Sequence, residues 1–177
     1  MRTVTQIRYL HKKLREAQFF CRHICDKQNL SDLESEKIEF FLSALLSAGR
    51  TLVGYVRKTA KQHKKNEHWY KEWESADSDR KLLQQMGKQR DLEVHNEGAK
   101  VYSDIKDVPF SQIPLPPTAQ LLYGAYDLSS PGAVSAIGQK VYYLKLHGVE
   151  HDVIVTCKRY IKLLQQLVDD FDDTGAT

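Results

Sequence analysis

An arginine and a histidine five positions apart, Arg90 and His95, stand out in the segment LLQQMGKQRDLEVHNEG at residues 82–98. Their side-chain types match what cleaving RNA without a metal demands. That reaction needs a base for the 2′-hydroxyl, an acid for the leaving oxygen and a cation for the charge on the pentavalent phosphorus. Histidine titrates near neutrality and moves protons in either direction. Arginine offers a planar, permanently charged fork to phosphate oxygens. On a helix, five residues at ~100° each set the two positions about 140° apart, a gap that the length of arginine spans. Asp91 and His95, at i and i+4, share a face, so Asp91 is placed to orient the imidazole and favour its protonated form. The same residues also allow a plain ion pair between Arg90 and Asp91 or Glu93, with His95 near a helix end before Gly98. A second arginine–histidine spacing, Arg57 to His63, has nothing around it to support a site.

Between Tyr55 and Lys65 lie Arg57, Lys58, Lys61, Lys64 and Lys65 with no acid among them. Cations at a helix C-terminus complement the macrodipole, so this run reads first as a solvated helix end. Its second reading is an RNA-facing patch, with Arg57, Lys58 and Lys61 as nucleic-acid contacts. Other chemistry has little to start from. There is no G-x-G-x-x-G, G-x-x-x-x-G-K-[ST], H-E-x-x-H, paired C-x-x-C or G-x-S-x-G, so neither a cofactor nor a metal is expected. His147, Glu150, His151 and Asp152 gather in what reads as a polar loop. Cys21 and Cys25, four apart, read as buried thiols on one helix face, and with Cys157 they form an odd set that implies no disulfide framework.

Four helices are predicted to carry these residues. The first covers about 5–26, with Ile7, Leu10, Leu14, Ala17, Cys21 and Ile24 at spacings of three and four. The second opens at the capping-box spacing Ser31-Asp32-Leu33-Glu34 and buries Ile38, Phe41, Leu42, Leu45, Leu52, Val53 and Val56. Its centre, Ala44, Ser47, Ala48 and Gly49, is small enough for a neighbouring helix to approach closely. The third starts near Asp77 or Ser78 and runs towards Gly98. The fourth begins near Asp152 and carries Ile154, Cys157, Ile161, Leu164, Val168 and Phe171. Trp69, Tyr70 and Trp73 read as packing anchors of a short connecting helix. All five prolines fall between the third and fourth helices, which excludes a long helix there. Two runs rich in tyrosine and β-branched residues, 100–105 and 140–146, predict a small β-ribbon in an insertion spanning 99–148.

The expected fold class is therefore all-α: an up-down bundle of four main helices in a single domain over 1–177, with a proline-rich, partly β insertion before the last helix. The chain has 177 residues, 41% apolar and 28% charged, which suits one domain with a real core. No stretch approaches the ~18 consecutive apolar residues of a membrane span. The first sixteen residues lack a secretory signal's apolar run, so a cytoplasmic protein without membrane contact is expected.

The segment containing Arg90 and His95 resembles the HEPN motif, in which an arginine and a polar residue are followed after a short spacer by histidine. The surroundings strengthen the resemblance: His68-Trp69-Tyr70-Lys71-Glu72-Trp73 and Asp77-Ser78-Asp79 precede the motif. Upstream, residues 40–57 look like the family's second helix, and Thr156-Cys157-Lys158-Arg159-Tyr160-Ile161 looks like the start of its closing helix. The likeness covers most of the chain outside the insertion. It implies a metal-independent endoribonuclease that leaves a 2′,3′-cyclic phosphate, with Arg90, His95 and Asp91 as catalytic residues. It also implies a homodimer, RNA as partner, and a toxin or anti-phage setting with an antitoxin-like protein partner. A departure is Asp91, where asparagine is the commoner family residue. A non-catalytic HEPN-like module that binds RNA, nucleotide or protein is the alternative.

Overall fold

The computed structural model describes residues 4–25, 33–62, 64–95, 101–109, 136–146 and 148–174. These residues are mostly helical, with five α-helices and a small three-stranded sheet. The fifth, beside the four main helices expected, is the short connecting helix predicted around Trp69, Tyr70 and Trp73, which spans 64–75 after Gln62. The helices are α1 (Val4–Cys25), α2 (Leu33–Lys61), α3 (Lys64–Ser75), α4 (Lys81–His95) and α5 (Val153–Asp173). The strands are β1 (Tyr102–Pro109), β2 (Ala136–Leu146) and β3 (Val149–Asp152). The capping box at Ser31 and the insertion between 110 and 135 lie outside the described residues.

The α1 stripe is buried as its periodicity predicts, with Leu10, Leu14, Ala17, Cys21 and Ile24 all in the core. It packs on α2 in antiparallel fashion: Tyr9 lies beside Tyr55 (ring centroids 5.2 Å), and His23 stacks on Phe41 (4.9 Å). The same ordering relates α1 to α5, since His11 Nε2 meets Asp172 Oδ2 at 3.0 Å and Gln18 donates to Gln165 at 3.1 Å. On α5 the expected Cys157, Leu164, Val168 and Phe171 are buried and the expected Ile154 and Ile161 partly buried, while Val153, Tyr160, Leu163 and Leu167 join the core beside them. The buried face is wider than the expected stripe because α5 meets α1, α2 and α4.

Helix α3 is held to the end of α5 by the aromatic side chains expected to anchor it. The Trp73 indole donates to Asp170 Oδ2 at 2.6 Å, and the Trp69 ring lies 5.9 Å from Phe171. The guanidinium of Arg80 sits over the Trp73 ring at 4.2 Å and donates to the Trp73 carbonyl. The expected start at Asp77 or Ser78 is a 3-10 turn over Ser78–Arg80, with α-helix only from Lys81. Asp77 opens the turn, its carboxylate accepting the Asp79 amide at 2.9 Å.

Of the segment 147–152, expected as a polar loop, residues 149–152 instead form strand β3 of a hairpin, while position 147 lies outside the described residues. Leu146 pairs with Val149 and Tyr143 with Asp152 in an antiparallel register. Gly148 adopts φ 81°, a region that L side chains disfavour, immediately before β3. Tyr142, Leu144 and Leu146 alternate inward and are buried, while Tyr143 stacks on Tyr102 at 5.6 Å. At the end of β3, the Asp152 carboxylate caps α5 by accepting the Val155 amide at 2.8 Å. The chain divides into two compact units, residues 1–102 with 142–177, and residues 103–141. In the second, the described residues are strand segments.

All three cysteines are free thiols, with Cys21 Sγ 4.0 Å from Cys25 Sγ. Burial, then the neighbouring Cys25, pushes the Cys21 thiol up to about 12, and burial drives Cys157 well upward. A folded-state value above the ordinary 9.0 means that unfolded Cys21 ionises first as pH rises. Its contribution is complete below pH 9 and is lost towards pH 12. The urea midpoint is therefore expected to fall between pH 8.5 and 10.5, and to fall less steeply in Cys21→Ala. An equal slope in the two proteins would show that Cys21 ionises alike folded and unfolded.

Candidate functional site

Between α2 and α4 lies a cleft of about 510 Å³. Helix α2 contributes Arg50, Val53, Gly54 and Arg57, and α4 contributes Leu83, Gln84, Gly87, Lys88 and Asp91, with Glu74 and Tyr160 also lining it. The α4 row follows from helical spacing: 84, 87, 88 and 91 recur at three and four and so share one face. Position 95 is one turn further along that row, and position 90 is three beyond Gly87. Both belong to the regular part of α4. The side chains of Arg90 and His95 lie outside the described residues.

The small-residue centre of α2 read from the sequence is where α5, which carries Tyr160 into the cleft, approaches most tightly. Gly49 lies against the Tyr160 ring so tightly that a Cβ would come 2.2 Å from its hydroxyl oxygen. Tyr160 is 1% exposed, and burial holds its phenol well above the usual tyrosine range. It remains a neutral packing group at the base of the cleft.

Charge in the cleft is paired across helices. Asp91 Oδ1 forms an ion pair with Arg50 Nη1, each side chain 46% exposed. Arg57 Nη2 donates to Glu74 Oε1 at 2.9 Å, and its guanidinium lies 5.6 Å from the Tyr70 ring centroid. Lys88 is exposed at the edge. The balance of Arg50, Arg57 and Lys88 against Glu74 and Asp91 is one positive charge. An arrangement of two guanidiniums and an ammonium around an open, half-apolar trough suits an anion with an organic body, such as a phosphodiester.

The structure thus brings Arg57 and Asp91 together, two residues the sequence assigned to separate patches. It gives Asp91 a described partner in Arg50, where the sequence had offered His95 or Arg90. Lys61 lies in a smaller adjoining hollow of about 150 Å³ with Glu67, Tyr70 and Lys71, while Lys58 is exposed and belongs to neither hollow. Arg50 was missed by sequence reasoning. Its only local signal is its place after Ala48 and Gly49, one residue beyond the closest helix contact. Among the described residues no three His, Cys, Asp or Glu side chains are grouped to hold a metal, and no helix is long and apolar enough to cross a membrane. Comparison with family models, curated proteins and solved structures gives no match to the chain.

Proposed function

We propose that the protein is a metal-independent endoribonuclease of the HEPN type working at the α2–α4 cleft. The observation that carries the reading is the row of α4 that lines the cleft as far as Asp91, opposite Arg50 and Arg57 and one helical turn before position 95. In the reaction, His95 takes the proton of the 2′-hydroxyl and the 2′-oxygen attacks phosphorus. The bond from phosphorus to the 5′-oxygen breaks, leaving a 2′,3′-cyclic phosphate, and the departing 5′-oxygen takes a proton from the protonated imidazole of a second copy to become a 5′-hydroxyl. Arg90 stabilises the extra negative charge on the phosphoryl oxygens. Arg57, Lys58 and Lys61 hold the strand on either side by its phosphates.

One arginine and one histidine are a thin apparatus for acid, base and charge stabilisation together. A homodimer that sets two copies of α4 across a two-fold axis supplies both proton-transfer groups. In this reading α1, α2, α4 and α5 are the four main helices of an up-down bundle and α3 is the connection. The setting is cytoplasmic, with an antitoxin-like protein holding the activity in check.

The test is cleavage of a broad panel of RNAs by purified protein with and without excess EDTA. Cutting that survives chelation supports the reading, and no cutting of any RNA sinks it. Asp91→Asn sharpens the result. It removes a negative charge from the cleft and restores the commoner family residue, so cleavage is expected to be equal or faster; a large loss would show that the carboxylate itself is needed. A second reading, a non-catalytic HEPN-like module for RNA, nucleotide or protein, draws on the Arg50–Asp91 pair, which leaves a carboxylate where phosphate would sit.

A further inference from the structure

Three helical glycines are described, and they do different things. Gly49 is required by the Tyr160 ring. Gly54 on α2 and Gly87 on α4 are not required by packing, because a Cβ at either would meet nothing within 4 Å. Neither has a positive φ, so neither is needed for a turn. Glycine is nonetheless the poorest helix former after proline, and each sits well inside its helix. What the two share is location, since both line the α2–α4 cleft.

We infer that Gly54 and Gly87 hold the cleft open for a phosphate-bearing ligand, and that Arg50 exchanges Asp91 for the ligand's phosphate on binding. The inference rests on the reading that this cleft is the functional site, and it holds whether or not the ligand is cleaved. The two arginines divide the work. Arg57 is anchored by Glu74 and by the Tyr70 ring, so it presents a fixed donor. Arg50 is held by a half-exposed carboxylate, and ion pairs of that kind are the weakest held in proteins. A phosphate accepts the same two-pronged donation with more charge, and so displaces Asp91. A Cβ at 54 or 87 would meet nothing within 4 Å, so a longer side chain starting there would take up room in the cleft.

The test is fluorescence anisotropy with a labelled, 2′-O-methylated single-stranded oligoribonucleotide, which binds without being cut, beside adenosine monophosphate as competitor. Gly87→Leu and Gly54→Leu should each weaken oligonucleotide binding at least tenfold with helicity retained. Gly87→Ala, with one methyl, should bind within about threefold of wild type. Arg50→Gln should weaken binding and Asp91→Asn strengthen it, while Lys12→Gln, exposed on α1 and outside both hollows, should change it little. Competition by the mononucleotide assigns the contact to a single phosphate unit, and its absence assigns it to a continuous strand. Wild-type affinity in well-folded Gly87→Leu and Gly54→Leu overturns the inference, as does an absence of binding to either probe. Should a leucine variant fail to fold, unchanged binding in both Arg50→Gln and Asp91→Asn overturns it instead. Binding that follows this pattern without RNA cleavage by wild type would sink the nuclease reading alone.

Discussion

Gly49→Ala is expected to destabilise the fold by about 3 kcal/mol, an overpacking penalty at the upper end of the ordinary range. For a domain of this size that lowers the melting temperature by roughly 6–12 °C. The cause is steric. The added methyl would lie 2.2 Å from the Tyr160 hydroxyl oxygen and 2.7 Å from two ring carbons. Tyr160 cannot swing aside, because it is 1% exposed and sits where α5 passes α2. The sign opposes the usual effect of the substitution, since alanine favours a helix over glycine by about 1 kcal/mol. Gly87→Ala shows that usual effect, with an expected gain of roughly 2–4 °C from about 1 kcal/mol. Thermal melts of the two variants side by side check the argument. A Gly49→Ala protein as stable as wild type would mean that α2 and α5 do not touch here. Coupling supplies a second check. In Gly49→Ala/Tyr160→Leu the penalties should be far from additive, because the clash is with the ring that Tyr160→Leu removes.

His95→Ala is expected to lower the rate of RNA cleavage by about 10²–10⁴-fold, the ordinary loss for one positioned acid–base group. Arg90→Ala should fall within a similar range through lost stabilisation of the transition state. Both act on the reacting atoms, so rate should suffer far more than RNA affinity. Helicity and assembly state should remain as in wild type, since Leu82, Leu83 and Met86 anchor the described part of α4 in the core. Single-turnover cleavage and anisotropy on the same variants separate the two effects. Equal cutting by His95→Ala would reduce His95 to a helix-end residue and leave the non-catalytic module as the better account.

The contrast between these sites also marks where sequence reasoning reached and where it stopped. Helix existence was legible, because the apolar spacings of three and four in α1, α2 and α5 follow directly from 3.6 residues per turn. The β-ribbon was legible for the same kind of reason, with tyrosine and β-branched runs bounded by proline. Local boundaries were less so: β3 looked like a loop because four residues of mixed polarity carry no period. Its strand state comes from pairing with β2 through the turn at Gly148.

The candidate site divides along the same line. Arg90, Asp91 and His95 were visible because their chemistry and spacing lie within one helix turn and a half. The small centre of α2 was visible as composition. That Gly49 receives Tyr160, 111 positions later, was not, since the sequence does not say which helix arrives. Arg50 meeting Asp91 and Arg57 meeting Glu74 depend on how α2 lies against α4 and α3, which side-chain packing decides. Sequence by itself determined which residues form helices and which carry charge, because those properties are local. Only the tertiary structure decided which charges share a cleft and which glycines are needed by a neighbour, because both depend on contacts between segments that the chain brings together only when the core closes.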